Sequence, residues 1–525
     1  MSNSVLYQTQ SSGQAPEPEQ QGLPTLPSES YVPQAMPGAL STFDLTVLFA
    51  LALFWISNVT GTVIGGTSAF TFWIFGTVAF FVPCCIVCAQ LGRIYPHEGS
   101  IYNWTYNAFA LYKRPGLANF MSFFIGICAW LPGLLSIVSA ADVIVSCLQA
   151  LNPNWLPLSW QQGLVIIAIC VLSGIISAMN TRTVMRFIVG GFFTTGLAVC
   201  LLGIAALMWL LKGHPSATNF ADPQAWQVSF DPATGNIFLL GTVTLALLGA
   251  TGPLMMSGEI NAKERGKAIP RHLLWGGILV IFAYFVTTWA LLVVQGQNAA
   301  LNTGNPVQLV FATAEGGLGK IGADIVAVCV MFFFIVVAVI YNVMFARLLM
   351  TAGIDQRLPI RIALINRNRV PVNAVILQTV LAVVVTLIIF FGLPSFSFLG
   401  LGNASDLTSK AYLVTAAALL LIWAFSFLFP FIDLGILILK GSKILGASTR
   451  ILPTPVLLVC IVAGSFVCIA TIVDTLLFSF APALIPNNTW SLMVGIFAIL
   501  CLTISAVVGM IATSEAFGEQ WKTFE

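Results

Sequence analysis

Long apolar runs, separated by short polar segments, occupy most of the chain between residues 43 and 513. A run of about 20 apolar residues is long enough for an α-helix to cross a bilayer. We count twelve such runs and predict an all-α membrane protein with twelve transmembrane helices. The predicted spans are 43–66, 70–91, 117–148, 162–179, 187–211, 236–258, 273–295, 319–349, 372–392, 409–439, 454–478 and 489–513.

The composition narrows the class of protein further. Mean hydropathy is +0.95 and charged residues make up 8% of the chain, whereas ordinary globular domains carry about 25% charged residues. The net charge of +2 gives no reason to expect a nucleic-acid partner. The eleven cysteines lie in or beside apolar runs, where cysteine behaves as a small hydrophobic residue, so we predict no metal and no cofactor. The lipid bilayer is the expected partner of most of the surface.

The polar ends and the basic residues predict an orientation. Residues 1–38 are rich in Gln, Pro, Ser and Glu, which predicts a disordered tail, and residues 514–525 form a second tail. With the N-terminus inside, Lys212, Lys320 and Lys410 are the three outer exceptions among 21 basic residues, which leaves 18 inside. Cytoplasmic loops carry the excess of Lys and Arg. The chain is therefore predicted to be a multi-pass protein of the cell membrane with both termini cytoplasmic.

Two of the predicted helices are interrupted by polar and small residues. The first is interrupted over 57–66, and the sixth contains Gly249, Gly252 and Pro253, which disfavour a regular helix. Broken backbone at membrane depth is tolerated only where protein or a water-filled cavity covers it. Packing kinks are the alternative, because Gly and Pro are commoner in membrane helices than in soluble ones.

The two interruptions occupy corresponding places in two blocks of five spans. Residues 39–211 hold the first block, residues 236–440 the second, and residues 441–513 two additional helices. Corresponding breaks in two halves indicate an inverted-repeat transporter with its site near the midplane. We therefore predict a 5+5 inverted repeat with broken helices one and six.

Three segments resemble the amino acid–polyamine–organocation permeases, in the order and spacing of that family. Residues 90–102, QLGRIYPHEGSIY, resemble the loop pattern E-L-G-x-x-x-P-x-x-G-G-x-Y, with Gln90 and Ser100 as departures. The other matching residues are Gly249, Glu259 and Ile269-Pro270-Arg271 of the sixth-helix pattern, and Asp355, Leu358 and Pro359 of a D-x-x-L-P element. The resemblance implies a LeuT-like fold and transport of amino acids or related amines.

The two breaks offer groups that suit an amino acid. N–H groups at a helix N-terminus suit its carboxylate, and we expect them from about Gly61, Thr62 and Val63. Carbonyls at the end of a half-helix suit its ammonium, and we expect them near Ile56, Ser57, Leu247 and Leu248. Alternatively, Asn58, Thr60 and Thr251 only satisfy a kinked backbone. The predicted substrate-binding residues are Ile56, Ser57, Asn58, Thr60, Gly61, Thr62, Val63, Leu247, Leu248, Gly249, Thr251 and Gly252.

Polar residues in other spans suggest a pocket wall. Ser136, Ser139 and Asp142 recur at helical spacing and form a polar face on the third span. A charge at the centre of a membrane helix costs about 2.5–3.5 kcal/mol, and Asp142 lies toward the outer end of its span. This position lowers the cost and favours a helix-end or ion-pair role for Asp142 over a role in proton coupling. Tyr341 is a further candidate wall residue.

An inner gate is predicted at the end of the broken sixth helix. Glu259 lies where the C-terminal helix dipole disfavours an acid, so a basic partner is expected. Arg93 and Arg347 are the candidates, in a partly exposed ion pair. The alternative is a solvated helix end.

We interpret the chain as a secondary active transporter, a permease or exchanger that moves amino acids or related amines by alternating access. The absence of Ser and Thr from residues 331–341 argues against sodium dependence, because a hard cation prefers oxygen ligands. The alternatives are an ion- or solute-conducting channel and a polyamine or organocation carrier. An enzyme is not expected, since His97, His214 and His272 lie in three different loops and form no catalytic motif.

Overall fold

The structure is a computed structural model that describes residues 25–36, 38–230, 235–261, 264–302, 305–395, 404–441, 443–446, 448–479 and 485–522. These residues are almost entirely helical, and among them the one β-type contact is an isolated bridge between Leu40 and Ile260.

The described residues form eighteen α-helices. They are α1 (Pro27–Ala35), α2 (Thr42–Leu53), α3 (Ile56–Val63), α4 (Ser68–Gly76), α5 (Val82–Ile94), α6 (Ile101–Ala110), α7 (Pro115–Leu151), α8 (Ser159–Ser177), α9 (Thr181–Leu211), α10 (Leu239–Ala246), α11 (Arg265–Val294), α12 (Gly296–Asn302), α13 (Pro306–Ile354), α14 (Val372–Leu387), α15 (Leu393–Ser395), α16 (Ala404–Lys440), α17 (Thr454–Leu477) and α18 (Asn487–Lys522). Short π-helical segments, Thr77–Phe81 and Ile388–Gly392, make α4–α5 and α14–α15 continuous.

Ten helical segments within the described part of the chain are long and apolar enough to cross a membrane. Each overlaps one of the predicted spans, which confirms an all-helical, multi-pass architecture. Two of them begin considerably earlier than predicted, at Arg265 instead of 273 and at Val307 instead of 319. In the second case the backbone is non-helical at Gly319 (φ 78°), where the predicted span begins. The other two predictions, 43–66 and 236–258, fall on broken segments. Helices α2 and α3 form a pair bent by 41° that would make an eleventh span. Helix α10 is followed by an irregular stretch and the 3₁₀ helix Pro253–Glu259.

The long helix α13 lies at the centre of the molecule and packs along α7 and α9. Glycines allow this close approach, since a Cβ at Gly133 would lie 2.4 Å from the Phe345 ring. Similarly, a Cβ at Gly191 would lie 2.7 Å from Val336. Small residues at such crossings let membrane helices pack backbone to side chain, which holds α7 and α13 in a fixed relation.

The first break lies earlier than predicted. Helix α2 ends at Leu53 and α3 begins at Ile56, with extended backbone at Trp55 (φ −117°, ψ 110°), so residues 57–63 are helical. The hydroxyls of Thr60 and Thr62 each donate at 2.7 Å to a carbonyl three residues earlier in α3. These local bonds satisfy the hydroxyls within a regular helix, which explains why polar residues there produce no break.

The sixth-helix break lies where it was predicted. Backbone between α10 and Pro253 is irregular, and Gly249 has φ +148°, which L side chains rarely adopt. A Cβ at Gly249 would lie 2.9 Å from Leu53 Cδ1. Since Leu53 is the last residue of α2, the two breaks lie against each other.

Part of the predicted disordered tail 1–38 is folded. Helix α1 packs against α13 and the Pro253–Glu259 helix, and its Val32 is 1% exposed. Ser28 donates from its backbone N–H and its hydroxyl to the Asp355 carboxylate, both at 2.8 Å. We name this end of the molecule the α1 face. The second predicted tail also differs, because α18 continues to Lys522; residues 1–24, 37 and 523–525 lie outside the described residues.

Candidate functional site

A cavity of about 380 Å³ lies beside the two breaks. Ligand sites typically occupy about 300–1,000 Å³. Its lining comes from the end of α2, the start of α3, the end of α10 and one side of α7, with further residues from α13 and α16. Seven sequence-predicted residues line it: Ser57, Asn58, Ser136, Ser139, Asp142, Leu248 and Tyr341.

The remaining candidates do not line the cavity. They are Ile56, Thr60, Gly61, Thr62, Val63, Leu247, Gly249, Thr251 and Gly252. Because the first break is at 54–55, residues 60–63 lie further along α3 than expected. A Cβ at Gly61 would be 3.6 Å from the Thr242 methyl of α10, so Gly61 serves helix packing. The predicted role of Gly61, Thr62 and Val63 as donors at a helix start is therefore wrong, because their N–H groups are inside α3.

Aromatic side chains hold the first break open. The last carbonyls of α2 are occupied: Ala52 O accepts from Tyr341 OH at 2.9 Å and from Trp55 Nε1 at 3.1 Å. Leu53 O accepts from Tyr284 OH at 2.6 Å, and the Tyr284 hydroxyl in turn accepts the Trp55 N–H at 3.1 Å. Carbonyls that would otherwise continue the helix are thus satisfied by side chains from α11 and α13.

The start of α3 leaves donors available. The first N–H groups of a helix have no acceptor within it, and here they belong to Ile56 and Ser57. Trp55 N–H is already bonded to Tyr284, and Asn58 N–H donates to Trp55 O at 3.0 Å. Ile56 and Ser57 were predicted to supply carbonyls; the structure instead places them where N–H groups and the positive helix dipole converge. Nothing in the sequence indicates that the break lies at residues 54–55, since Phe54 and Trp55 are ordinary helix residues.

The end of α10 supplies acceptors on the other side. Leu245, Ala246 and Leu248 line the cavity, and the last carbonyls of a helix have no donor within it. Ala246 O accepts weakly from Tyr284 OH at 3.3 Å. The carbonyls of Leu247 and Leu248 follow immediately, in the irregular stretch before Pro253. The start of α3 and the end of α10 therefore meet at one cavity, with Ser57 and Leu248 in its lining and Ile56 and Leu247 directly beside those two residues in the chain.

The wall contributed by α7 is polar, as its helical spacing predicted. Ser136, Ser139, Asp142 and Ser146 all line the cavity. Ser136 Oγ donates to Pro132 O at 2.9 Å. Two tryptophans that sequence reasoning missed complete the wall: Trp55 and Trp423 each make T-shaped contacts with Tyr341, at centroid distances of 6.0 and 6.2 Å. Trp423 gave no sequence signal, because tryptophan is also enriched at the membrane–water interface of transmembrane helices.

A buried ion pair lies between the cavity and the α1 face. Arg347 Nε donates to Glu259 Oε1 at 2.9 Å, with the two side chains 1% and 0% exposed. The structure thus pairs Glu259 with Arg347, and Arg93 instead donates to Ser448 O at 3.0 Å. The expected partial exposure is wrong, as is the alternative of a solvated helix end, because α1 and the backbone bond from Leu40 N to Glu259 O cover the pair.

A second carboxyl adjoins this pair. Glu98, in the loop between α5 and α6, is 2% exposed and its Oε2 accepts the Gly258 N–H at 2.7 Å. Burial raises the pKa of Glu98 well above its usual range, and the nearby Glu259 carboxylate raises it further, against opposing contributions from Arg347, the Gly258 N–H and Arg265. Two carboxyls therefore compete for Arg347, which favours a proton on Glu98.

Comparison with known proteins gives the family. A family model described as amino acid permease matches residues 40–441, which include both breaks, the cavity and the ion pair. The chain belongs to this family. This confirms the resemblance to the amino acid–polyamine–organocation superfamily.

Curated relatives are more distant. The permease is similar to the uncharacterized transporter lpg1691 of Legionella pneumophila, with 24% identity over 261 residues, 49% of the chain and 53% of the relative. It is also similar to the inner membrane transporter YjeM of Escherichia coli, with 23% identity over 278 residues, 49% of the chain and 52% of the relative. The matched segments span about half the length of these relatives. Within the described residues, the permease has no group of three or more His, Cys, Asp or Glu residues that could hold a metal ion.

Proposed function

We propose that the permease is a secondary carrier of amino acids or related amines that binds its substrate in the cavity beside the two breaks. The observation that carries this proposal is that the start of α3, through Ser57 and Asn58, and the end of α10, through Ala246 and Leu248, line the same cavity. An amino acid presents one carboxylate and one ammonium. The carboxylate binds the N–H groups of Ile56 and Ser57, and the ammonium binds the carbonyls near Leu247 and Leu248.

The proposal includes the fold expected for such a carrier. Twelve spans result if the α2–α3 pair and the segment from α10 to Glu259 each cross the membrane once. The two five-helix blocks then form a LeuT-like inverted repeat, with a broken helix opening each block. The excess of basic residues orients the α1 face toward the cytoplasm, which makes both termini cytoplasmic.

The arrangement supports alternating access with the α1 face closed. The cavity is lined along α7 from Pro132 to Ser146, a helical distance of about 21 Å directed away from the α1 face. In the other direction lie the buried pair Glu259–Arg347, Glu98 and α1. We propose that this group of contacts is the inner gate, which breaks when the carrier opens toward the cytoplasm.

One substitution tests the carboxylate contact directly. Ile56→Pro removes a single N–H at the first position of α3, where proline is tolerated in a helix. Trp55 already has the extended backbone that a residue before proline requires. Because the Ile56 side chain is 2% exposed, Ile56→Ala is the matched control that loses the side chain and keeps the N–H.

The assay is counterflow of radiolabelled amino acids in proteoliposomes. We expect saturable counterflow that persists when choline replaces sodium. Ile56→Pro should weaken apparent affinity by about 10- to 100-fold, the effect of losing a hydrogen bond to a charged group, and Ile56→Ala should weaken it much less. Flux that never saturates would indicate a channel. Equal effects of the two variants would remove the carboxylate contact from the proposal.

A further inference from the structure

The cavity contains a carboxyl group that the proposed binding mode leaves without a partner. Asp142 is the one carboxyl among the described residues that line the cavity, and this lining includes no Lys, Arg or His. Its carboxylate makes no hydrogen bond or ion pair with any part of the chain that the structure describes. The α-carboxylate and α-ammonium of a substrate are accommodated by α3 and α10. The cavity therefore contains one carboxyl group that this binding mode leaves without a partner.

An unmatched charge in a low-dielectric site is costly unless something pairs with it. A neutral zwitterion would occupy the cavity and further desolvate Asp142 without compensating it. A substrate with one additional cationic group would neutralise it. We propose that the substrate is a basic amino acid, whose distal cation binds Asp142. This deepens the proposed function and rests on it.

The distance along α7 fits a long side chain. Ser136 faces the Tyr341 hydroxyl, which is bonded to Ala52 O at the first break. Asp142 lies six residues beyond Ser136, which is about 9 Å along the helix. A lysine-type side chain extends about 6 Å from Cα to its terminal nitrogen, and a hydrogen bond adds about 3 Å. The amino acid can thus span from the breaks to Asp142.

The walls between the two ends suit the stem of such a side chain. Trp55, Tyr341 and Trp423 present aromatic surface to the cavity. Aromatic faces pack well against methylene groups and attract a nearby cation. Ser139, on the same face of α7 as Asp142, adds a hydroxyl that can accept a hydrogen bond from an ammonium.

The test compares substrates that differ by one group. Counterflow of radiolabelled L-lysine is measured in proteoliposomes, with L-norleucine and cadaverine as competitors. Norleucine has the lysine chain without the distal ammonium, and cadaverine has both amines without the carboxylate. We expect lysine to compete at a concentration at least about tenfold lower than norleucine, and Asp142→Asn to bring the two within about twofold of each other.

Two further variants separate charge from structure. Asp142→Glu keeps the charge and should keep the preference for lysine. Asp324→Asn removes another carboxyl within a span, one that is exposed on α13 and outside the cavity, and should leave both affinities unchanged. Size-exclusion profiles and thermal stability of the purified variants report folding independently of transport.

The outcomes distinguish this inference from the proposed function. If norleucine and other neutral amino acids exchange as well as lysine, and if Asp142→Asn has no effect, the inference about a basic amino acid is wrong. The proposed function as an amino acid carrier would then be retained. Cadaverine competing as well as lysine would support the contact at Asp142 and overturn the carboxylate contact at α3. Absence of counterflow with every amino acid and amine would overturn both.

Discussion

Removing the carboxylate of Glu259 should open the α1 face. In the structure Glu259 and Arg347 form an ion pair at 2.9 Å that is almost completely buried. Glu259→Gln keeps the shape of the side chain and removes its charge. Arg347 then remains buried with one weak additional contact, from its Nη1 to Val343 O at 3.4 Å. The closed state loses stability relative to any state in which Arg347 reaches water.

The size of the effect follows from burial. Removing one partner of a buried ion pair costs about 3–5 kcal/mol. We expect the lower end, because the Gln oxygen still accepts a hydrogen bond and the neighbouring Glu98 can ionise and take over part of the pairing. A change of about 3 kcal/mol corresponds to a shift of more than 100-fold in the equilibrium between closed and open states.

Hydrogen exchange measured by mass spectrometry, together with transport, tests this expectation. Peptides covering α1 and residues 253–260 should lose protection in Glu259→Gln, while peptides from α17 should not change. Counterflow should slow more than substrate affinity weakens. The double variant Glu259→Gln/Arg347→Met should recover part of the protection, because it removes the unpaired charge as well.

Two results would refute the reasoning. Unchanged protection of α1 and residues 253–260 in Glu259→Gln would show that the ion pair does not stabilise the closed α1 face. Lower protection in the double variant than in Glu259→Gln would show that burial of Arg347 is not the source of the cost.

Three further expectations concern the same gate and the breaks. Burial raises the pKa of Glu98. The closed state is therefore most stable below the ordinary Glu pKa of about 4.3, and it loses stability as the pH rises toward the raised pKa of Glu98. Glu98→Gln should remove this pH dependence from the rate of counterflow. Ser28→Ala removes a hydrogen bond to the Asp355 carboxyl and should cost about 1–3 kcal/mol, visible as faster hydrogen exchange in α1, whereas unchanged exchange would mean that α1 docks without this contact. Gly249→Ala adds a Cβ 2.9 Å from Leu53 at a residue with φ +148°, and the resulting strain should cost about 1–3 kcal/mol. Gly435→Ala is the control, because the space around its Cβ is open. Equal transport by the two variants would contradict this expectation.

The positions of ten spans could be predicted from the sequence because membrane insertion depends on about 20 consecutive residues. The break in the sixth helix could also be predicted, because it depends on residues within the break itself. Gly249 and Pro253 act through their own backbone, by conformational freedom and by a missing N–H. The polar face of α7 was predictable too, because residues three and four apart always share one side of a helix.

The break in the first helix was decided by tertiary structure. Phe54 and Trp55 carry no local signal, and the chain leaves the helix there because Tyr284 and Tyr341 occupy the carbonyls and the N–H at that point. These tyrosines lie more than 220 residues away in sequence. Polar residues at 57–62 misled the prediction, because a threonine hydroxyl satisfies itself inside a helix.

Burial of the charged groups at the α1 face was also decided by tertiary structure. The composition of residues 1–38 predicted disorder. Helix α1 is nevertheless held in place by the hydrogen bond from Ser28 to Asp355, which lies 327 residues away in sequence. The helix dipole predicted that Glu259 needs a basic partner and left Arg93 and Arg347 equally placed. Which arginine pairs, and whether water reaches the pair, depends on how α13, α1 and the Pro253–Glu259 helix pack, and no local stretch of sequence contains that information.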